Sequence, residues 1–332
     1  MTVSIIIATK TYDTNLKECV SNCLKLNYPN SDYEIIILPD TYFENSNFSS
    51  KVKIVPTGEI TPPLKRDIGV KKAEGEILAF LDSDAYPDKD WLKGALKIFK
   101  ENKNVGCVCG PQLTPSKDSL REKASGLVYS SLLVSGKYNF RYVPKKRKEV
   151  DDFPSCNFFI RRDVFFQIRG FEKPYWPGED TFLCWKILKT GKKIIYDPNV
   201  IIFHHRRPLF KKHLLQVKNY ALHRGYFVKK YPRNSFYLGY FMPSLFLLSL
   251  ILGGILTFFS SLIGYFYFIG ISIYLLFVFI NSIFLIAREK EKYSLVNKIK
   301  LLFLVISGII LTHLYYGFYF IKGLLAKRMP EE

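Results

Sequence analysis

The chain has 332 residues, with 48 lysines and arginines against 29 aspartates and glutamates, and a formal net charge of +19. That length holds one sizeable globular domain plus something extra, and the charge calls for an anionic partner. Nucleic acid is the first candidate, but Arg161, Arg162, Arg206, Arg207, Lys211 and Lys212 crowd the stretch leading to a long apolar region, which suits lipid head groups and phosphorylated substrates and excludes nucleic acid from the reading; Lys145 to Lys148 belongs to the same group and reads equally as a solvated loop.

From the N-terminus the pattern alternates. Val3 to Ala8 is a β-branched run and Leu16 to Leu26 has helical spacing. Glu34 to Leu38 and Val52 to Val55 read as strands, Pro63 to Ala73 as a helix and Ile77 to Leu81 as a strand. Such alternation predicts an α/β fold with a mostly parallel sheet covered by helices, whose ligands sit beyond the carboxyl ends of the strands. No glycine-rich fingerprint follows the first strand, which argues against a nicotinamide or flavin enzyme. Asp90 to Asn102 is the next helix, with Asp88 or Asp90 as its cap, and Val105 to Gly110 the next strand. Residues 111 to 155, rich in Pro, Ser and Lys, are expected to hold a helix inside long loops. Beyond them Asn157 to Ile160 is extended, Asp163 to Ile168 helical, Gly178 to Gly191 a loop and helix, and Lys193 to Tyr196 and Val200 to His204 extended.

Leu209 to Val228 mixes apolar and basic residues at helical spacing, as a helix lying along a membrane surface does. Three apolar runs follow a break near Tyr231, Pro232 and Arg233: about 236–259, 262–287 and 301–325, each matching the ~20 residues that cross ~30 Å of hydrocarbon. Tyr237 to Ile286 contains no Asp, Glu, Lys or Arg. The connector from Arg288 to Lys300 carries Arg288, Lys290, Lys292, Lys298 and Lys300, so the positive-inside rule places it, and with it the N-terminal domain, in the cytoplasm. Lys229, Lys230 and Arg233 agree; Lys327 and Arg328 conflict mildly, since three crossings would put them outside, and a re-entrant third segment is the alternative. His313, in the third run with Tyr315 and Tyr316, reads either as touching an acceptor or, in preference, as packing against a neighbouring helix. The expected layout is a catalytic domain over 1–207, a basic interfacial segment over 208–235 and membrane helices over 236–325.

The N-terminal apolar run is too short for a secretory signal and lacks a basic leader. Cys19, Cys23, Cys107, Cys109, Cys156 and Cys184 all fall in the domain assigned to a reducing compartment, so free thiols are expected in preference to zinc ligands.

The stretch most telling of chemistry is Ile77 to Asp84, where a buried strand ends in two carboxylates at alternate positions. On an extended chain these point to one side, so Asp82 and Asp84 can face one Mg2+ or Mn2+, a cation that completes its shell with water and phosphate oxygens. Trp176 to Asp180 puts two acids at the start of a helix. An ionised carboxylate there can take the proton of an attacking hydroxyl, or can simply cap the helix.

Several stretches stand in a telling order: Val3–Thr9 (VSIIIAT), Ile35–Asp40 (IIILPD), Lys65–Gly69 (KRDIG), Leu81–Asp84 (LDSD), Ser155–Asn157 (SCN), Gly178–Asp180 (GED) and Phe203–Arg207 (FHHRR). With them the chain resembles the family 2 inverting glycosyltransferases of GT-A fold, in particular the membrane-anchored transferases of exopolysaccharide and glycolipid assembly. The resemblance implies a Rossmann-type, mostly parallel sheet followed by about three transmembrane helices. It further implies a nucleotide-diphosphate sugar donor and a glycan or polyprenyl-(di)phosphate-linked acceptor. By the same resemblance Thr9 and Asp40 would lie at the nucleotide base, Lys65 and Arg66 by the nucleotide or its phosphates, and Asp82 at ribose and metal. Asp84 would ligate the metal, with His204 or His205 completing the metal or diphosphate site. Asp180 would be the catalytic base, Glu179 would position the acceptor, and Asn157, Trp176 and Arg207 would contact substrate.

Two departures stand out: Ala8–Tyr12 (ATKTY) replaces the usual Pro-Thr-Tyr-Asn, and Pro39 precedes Asp40 where the family has paired acids. The Gln-x-x-Arg-Trp signature of processive synthases is absent, with Gln216–Tyr220 (QVKNY) in its place, which favours single addition. Two alternatives share the architecture: a catalytically silent sugar-nucleotide scaffold, and a membrane-associated nucleotidyltransferase in which Glu179 and Asp180 would have no task.

Overall fold

The computed structural model describes residues 1–44, 48–171, 175–289, 291 and 293–329. In chain order the elements begin with β1 (Val3–Ala8), α1 (Thr14–Cys23), β2 (Tyr33–Leu38), β3 (Val52–Ile54), α2 (Pro62–Lys72), β4 (Ile77–Asp82), β5 (Ala85–Pro87) and α3 (Trp91–Glu101). There follow β6 (Val105–Cys109), β7 (Gln112–Leu113), α4 (Leu120–Ser130), α5 (Leu132–Ser135), β8 (Lys148–Val150), β9 (Asn157–Arg161), α6 (Arg162–Gln167) and α7 (Glu179–Lys189). The last are β10 (Lys193–Tyr196), β11 (Ile202–His204), α8 (Lys211–Lys230), α9 (Pro232–Ser235), α10 (Met242–Leu256), α11 (Ser261–Ala287) and α12 (Leu295–Leu325).

The chain forms two compact units. The first comprises Met1–Leu113 and Val143–His204. Its main sheet runs β3-β2-β1-β4-β9-β6-β10-β8, parallel from β3 to β4 and mixed beyond. β1 is buried nearly throughout, which explains why it reads as a continuous apolar run rather than an alternating one. α1 buries Leu16, Cys19, Val20 and Cys23, one stripe at three- and four-residue spacing, and Asp13 caps it by accepting from the Leu16 amide at 2.8 Å. α3 does the same with Trp91, Leu92, Ala95, Leu96, Ile98 and Phe99. Register matters most for function: Ala8 lies opposite both Leu38 and Asp82, so the carboxyl ends of β1, β2 and β4 finish side by side. A second, three-stranded sheet, β5-β11-β7, sets His204 opposite Ala85 and Ile202 opposite Gln112. All six cysteines are free and buried.

The second unit comprises Thr114–Tyr142 and His205–Pro330. The segment expected to be a helix in long loops supplies α4, which opens with a capping box between Ser119 and Glu122, and the short α5. Among the described residues three helices are long and apolar enough to cross a membrane: Leu238–Leu256, α11 and α12. α12 begins at Leu295, so Lys298 and Lys300 lie in its first turns and not in a connector. Lys290 and Lys292 lie outside the described residues. Of the charged side chains in this unit's sequence, 22 are Lys or Arg and only four, Asp118, Glu122, Glu289 and Glu291, are acids; nearly all of the net charge resides here.

Candidate active site

The strand ends of the first unit gather the residues. Lys65 on α2 is buried, and its ammonium donates to the carbonyl oxygens of Thr9 (2.6 Å) and Leu38 (3.3 Å) and pairs with the Asp40 carboxylate. With those donors committed, Lys65 is not available to a phosphate; it fixes Asp40 and joins the ends of β1 and β2, which corrects the expected role. Tyr12 and Phe43, each three residues beyond Thr9 and Asp40, pack on one another at a centroid distance of 4.9 Å and meet Phe48 edge-on at 5.9 and 6.4 Å.

Asp82, Asp84 and His204 offer ligand atoms that all lie within 4.8 Å of one another. The two aspartates converge through the turn at Ser83–Asp84, since β4 ends at Asp82; strand alternation is not what aligns them. His204 Nε2 is 3.1 Å from Asp84 Oδ1, and His204 Nδ1 is 2.9 Å from Gln112 Oε1. An amide oxygen only accepts, so the Gln112 contact is made by Nδ1 as donor, and Nε2 is the ring nitrogen that faces Asp84. Two carboxylates and an imidazole oriented by an outer amide form a donor set that fits a divalent cation.

Arg66 connects this trio to the second acid pair. Its Nη2 donates to Asp82 Oδ1 at 2.6 Å, its Nη1 lies 3.5 Å from Glu179 Oε1, and its guanidinium stacks over Phe171. It is an internal counter-ion to the carboxylates. Gly178, with φ of 119°, takes the left-handed conformation that glycine tolerates and starts α7 so that Glu179 and Asp180 occupy its first turn. Burial raises the Glu179 carboxyl to about 8, reinforced by Asp180 and opposed by Arg66. Burial likewise raises Asp180 to about 6, against the lowering pull of Arg66 and a Ser155 hydrogen bond. Among the described residues Glu179 Oε2, Asp180 Oδ1 and Arg66 Nε are buried without a hydrogen-bond partner. Three such atoms on neighbouring side chains leave bonding capacity that water or a ligand can complete.

Other expected residues fall elsewhere. Asn157 is wholly buried: its amide nitrogen donates to the carbonyls of Gly110 (2.7 Å), Val200 (2.8 Å) and Pro111 (3.3 Å), and its oxygen accepts from Trp91 Nε1 at 2.8 Å. It clamps three segments and has nothing left for substrate. Trp176 is exposed just ahead of α7. His205 and Arg207 belong to the second unit, where His205 Nδ1 lies 2.5 Å from Asp118 Oδ1; His205 does not join the trio, and Arg207 is exposed. Gln112 and the bonding role of Ser155 escape sequence reasoning, because Gln112 meets His204 across 92 residues and sits in a two-residue strand.

Residues 4–169 match the profile described as "Glycosyl transferase family 2". Over its whole length the chain is similar to a dolichyl N-acetyl-alpha-D-glucosaminyl phosphate 3-beta-D-2,3-diacetamido-2,3-dideoxy-beta-D-glucuronosyltransferase of Methanococcus voltae, 24% identical over 341 residues that cover 97% of each chain. A pre-mycofactocin glycosyltransferase of Mycobacterium tuberculosis is 28% identical over 146 residues, 44% of this chain and 30% of that one. Among solved structures, the mannosyltransferase PcManGT of Pyrobaculum calidifontis, in complex with GDP-Man and Mn2+, shares the fold with a TM-score of 0.52 at 18% identity, covering 70% of this chain and 64% of that one.

Proposed function

This chain belongs to glycosyl transferase family 2, and we propose that it moves a sugar from a nucleoside-diphosphate sugar onto a hydroxyl of a lipid-linked acceptor with inversion at the sugar carbon. The observation that carries this reading is Arg66, which holds Asp82 of the candidate metal trio and Glu179 of the acid pair to one guanidinium. Asp82, Asp84 and His204 would hold Mg2+ or Mn2+, which supplies charge neutralisation on the departing nucleoside diphosphate. Asp180, ionised at neutral pH, accepts the acceptor hydroxyl's proton as the new oxygen–carbon bond forms and the bond from sugar carbon to phosphate oxygen breaks. Glu179, still protonated there, donates a hydrogen bond from its free oxygen and keeps the acceptor in line. Asp40, fixed by Lys65, and the Tyr12–Phe43–Phe48 rings are placed to receive the base.

The lipid-linked acceptor is supported by the full-length relative, whose name specifies a dolichyl phosphate-linked sugar, and by the cationic, apolar second unit. The cations flanking the apolar helices support a multi-pass protein of the cell membrane with its catalytic domain in the cytoplasm. Incubation with labelled nucleotide sugars and lipid extract, with and without chelator, tests both parts. Release of nucleoside diphosphate with label in the lipid phase is expected. Label confined to water-soluble product overturns the lipid acceptor, and pyrophosphate release overturns the transferase reading in favour of a nucleotidyltransferase.

A further inference from the structure

Length and composition qualify α12 as a membrane span, and it packs on the apolar helices α10 and α11, where Tyr274 Oη is 2.9 Å from His313 Nδ1, yet two further neighbours, α4 and α8, are unsuited to hydrocarbon. Just before its start, Glu291 accepts from Lys123 of α4 at 2.5 Å. Gly308 lies so close to α4 that a Cβ there would come within 2.7 Å of a Val128 methyl. The start of α10 lies against Gly317, whose carbonyl accepts from Ser244 Oγ at 2.9 Å. From Thr312 onward α12 also packs on α8: His213 Nε2 is 3.0 Å from Thr312 Oγ1, a Cβ on Gly323 would collide with the Leu222 carbonyl, and Lys229 Nζ donates to Ala326 O at 2.8 Å. The two helices advance together through these contacts, so α8 runs parallel to the C-terminal half of α12.

α8 carries Lys211, Lys212, Lys218, Arg224, Lys229 and Lys230. Were α12 to cross the bilayer, α8 would be drawn in beside it, with six cations in a medium that accepts them poorly. One stripe of α12 that no helix among the described residues covers is apolar and exposed, with Phe303 at 68%, Phe318 at 56% and Leu325 at 76%. We propose that α12 lies in the plane of the membrane interface, this stripe among lipid acyl chains and its other sides on α4, α8, α10 and α11, so that both its ends remain on one side. The proposal rests on the membrane anchoring inferred above. A helix with protein on one face and lipid on the other is apolar all round, so its hydropathy imitates a span. The partner is a bilayer surface with anionic head groups, which the α8 cations meet at its edge. Lys327 and Arg328 then stay with Lys229, and the conflict with the positive-inside rule disappears.

Single cysteines in the full chain, in sealed membrane vesicles, test this with an impermeant maleimide; the six native cysteines are buried and give little background. Lys298→Cys and Lys327→Cys are expected to label from the same side, and labelling from opposite sides overturns the proposal. Phe259→Cys, ahead of α11, reports separately on the anchor: labelling from the Lys298 side counts against a multi-pass protein while leaving α12 in plane. Spin labels at Phe303, Phe318 and Leu325 in phosphatidylglycerol-containing vesicles are expected at one shallow depth. A span would instead separate the first two by about 22 Å along the membrane normal, and that result also overturns the proposal.

Discussion

Arg66 Nη2 sits 2.6 Å from Asp82 Oδ1, and through that pair the end of β4 shares a buried cation with Glu179 at the start of α7. The candidate metal trio and the acid pair at the start of α7 are thus held to one another by a side chain expected from the sequence at the nucleotide or its phosphates. Burial opposes the Arg66 charge, and Asp82, Glu179 and Asp180 together outweigh that opposition.

Replacing this cation is expected to cost stability. Breaking a buried ion pair from one side costs about 3–5 kcal/mol; Asp82 is 31% exposed, so water recovers part of it and about 2–4 kcal/mol is expected for Arg66→Met. Thermal unfolding in detergent measures this, and an unchanged midpoint would show that the pair is not structural.

The rate should follow the ionisation of Asp180. With its carboxyl raised to about 6 by burial, kcat/KM is expected to fall tenfold per pH unit below about pH 6 and to level off above it. Ser155→Ala removes a hydrogen bond that lowers this value and should shift the limb to higher pH; Asp180→Asn should abolish the limb and reduce the rate by about 10²–10⁴.

The same group links stability to pH. Its folded value lies above the unfolded one of about 4, so the folded chain holds that proton more tightly, and the stabilisation is present below about pH 4 and lost as pH rises through about 6. Asp180→Asn is therefore expected to flatten the melting temperature against pH over that window.

Gln112→Leu keeps every metal donor in place but removes the acceptor that orients His204. Loss of such an outer partner weakens metal affinity by about 10–100-fold. Mn2+ titration followed by electron paramagnetic resonance gives the value, and His204→Ala should exceed it. Affinity equal to that of the unaltered chain would remove Gln112 from the site.

Asn157→Ala separates a structural role from a binding one. It strands buried carbonyls at Gly110 and Val200 and the Trp91 indole N–H, each worth about 1–3 kcal/mol when left unpaired. A large drop in melting temperature with the donor KM of the surviving folded fraction unchanged is the expected pattern; a raised KM with unchanged melting would restore Asn157 to the substrate site.

Much of this protein is written locally. The β-branched run at Val3–Ala8, the stripe of Leu16, Cys19, Val20 and Cys23, and the charge-free stretch from Tyr237 to Ile286 each determine an element through the spacing of neighbouring residues, and each element lies within a few residues of where that spacing places it. The carboxylates at 82, 84, 179 and 180 stand out for the same reason: acids that follow a buried strand or open a helix contrast with what surrounds them.

What only the tertiary structure decided concerns partners far apart in the chain. Lys65 and Arg66 look alike in sequence as cations on one helix turn, yet one is consumed by the ends of two strands and the other by acids 16 and 113 residues away. Asn157, His205 and α12 show the same limit, since an amide's donors, an imidazole's neighbour and the far side of an apolar helix are settled by what packs against them. Spacing encodes which way a side chain faces within its own element, whereas burial and charge pairing depend on the surfaces that element meets after folding.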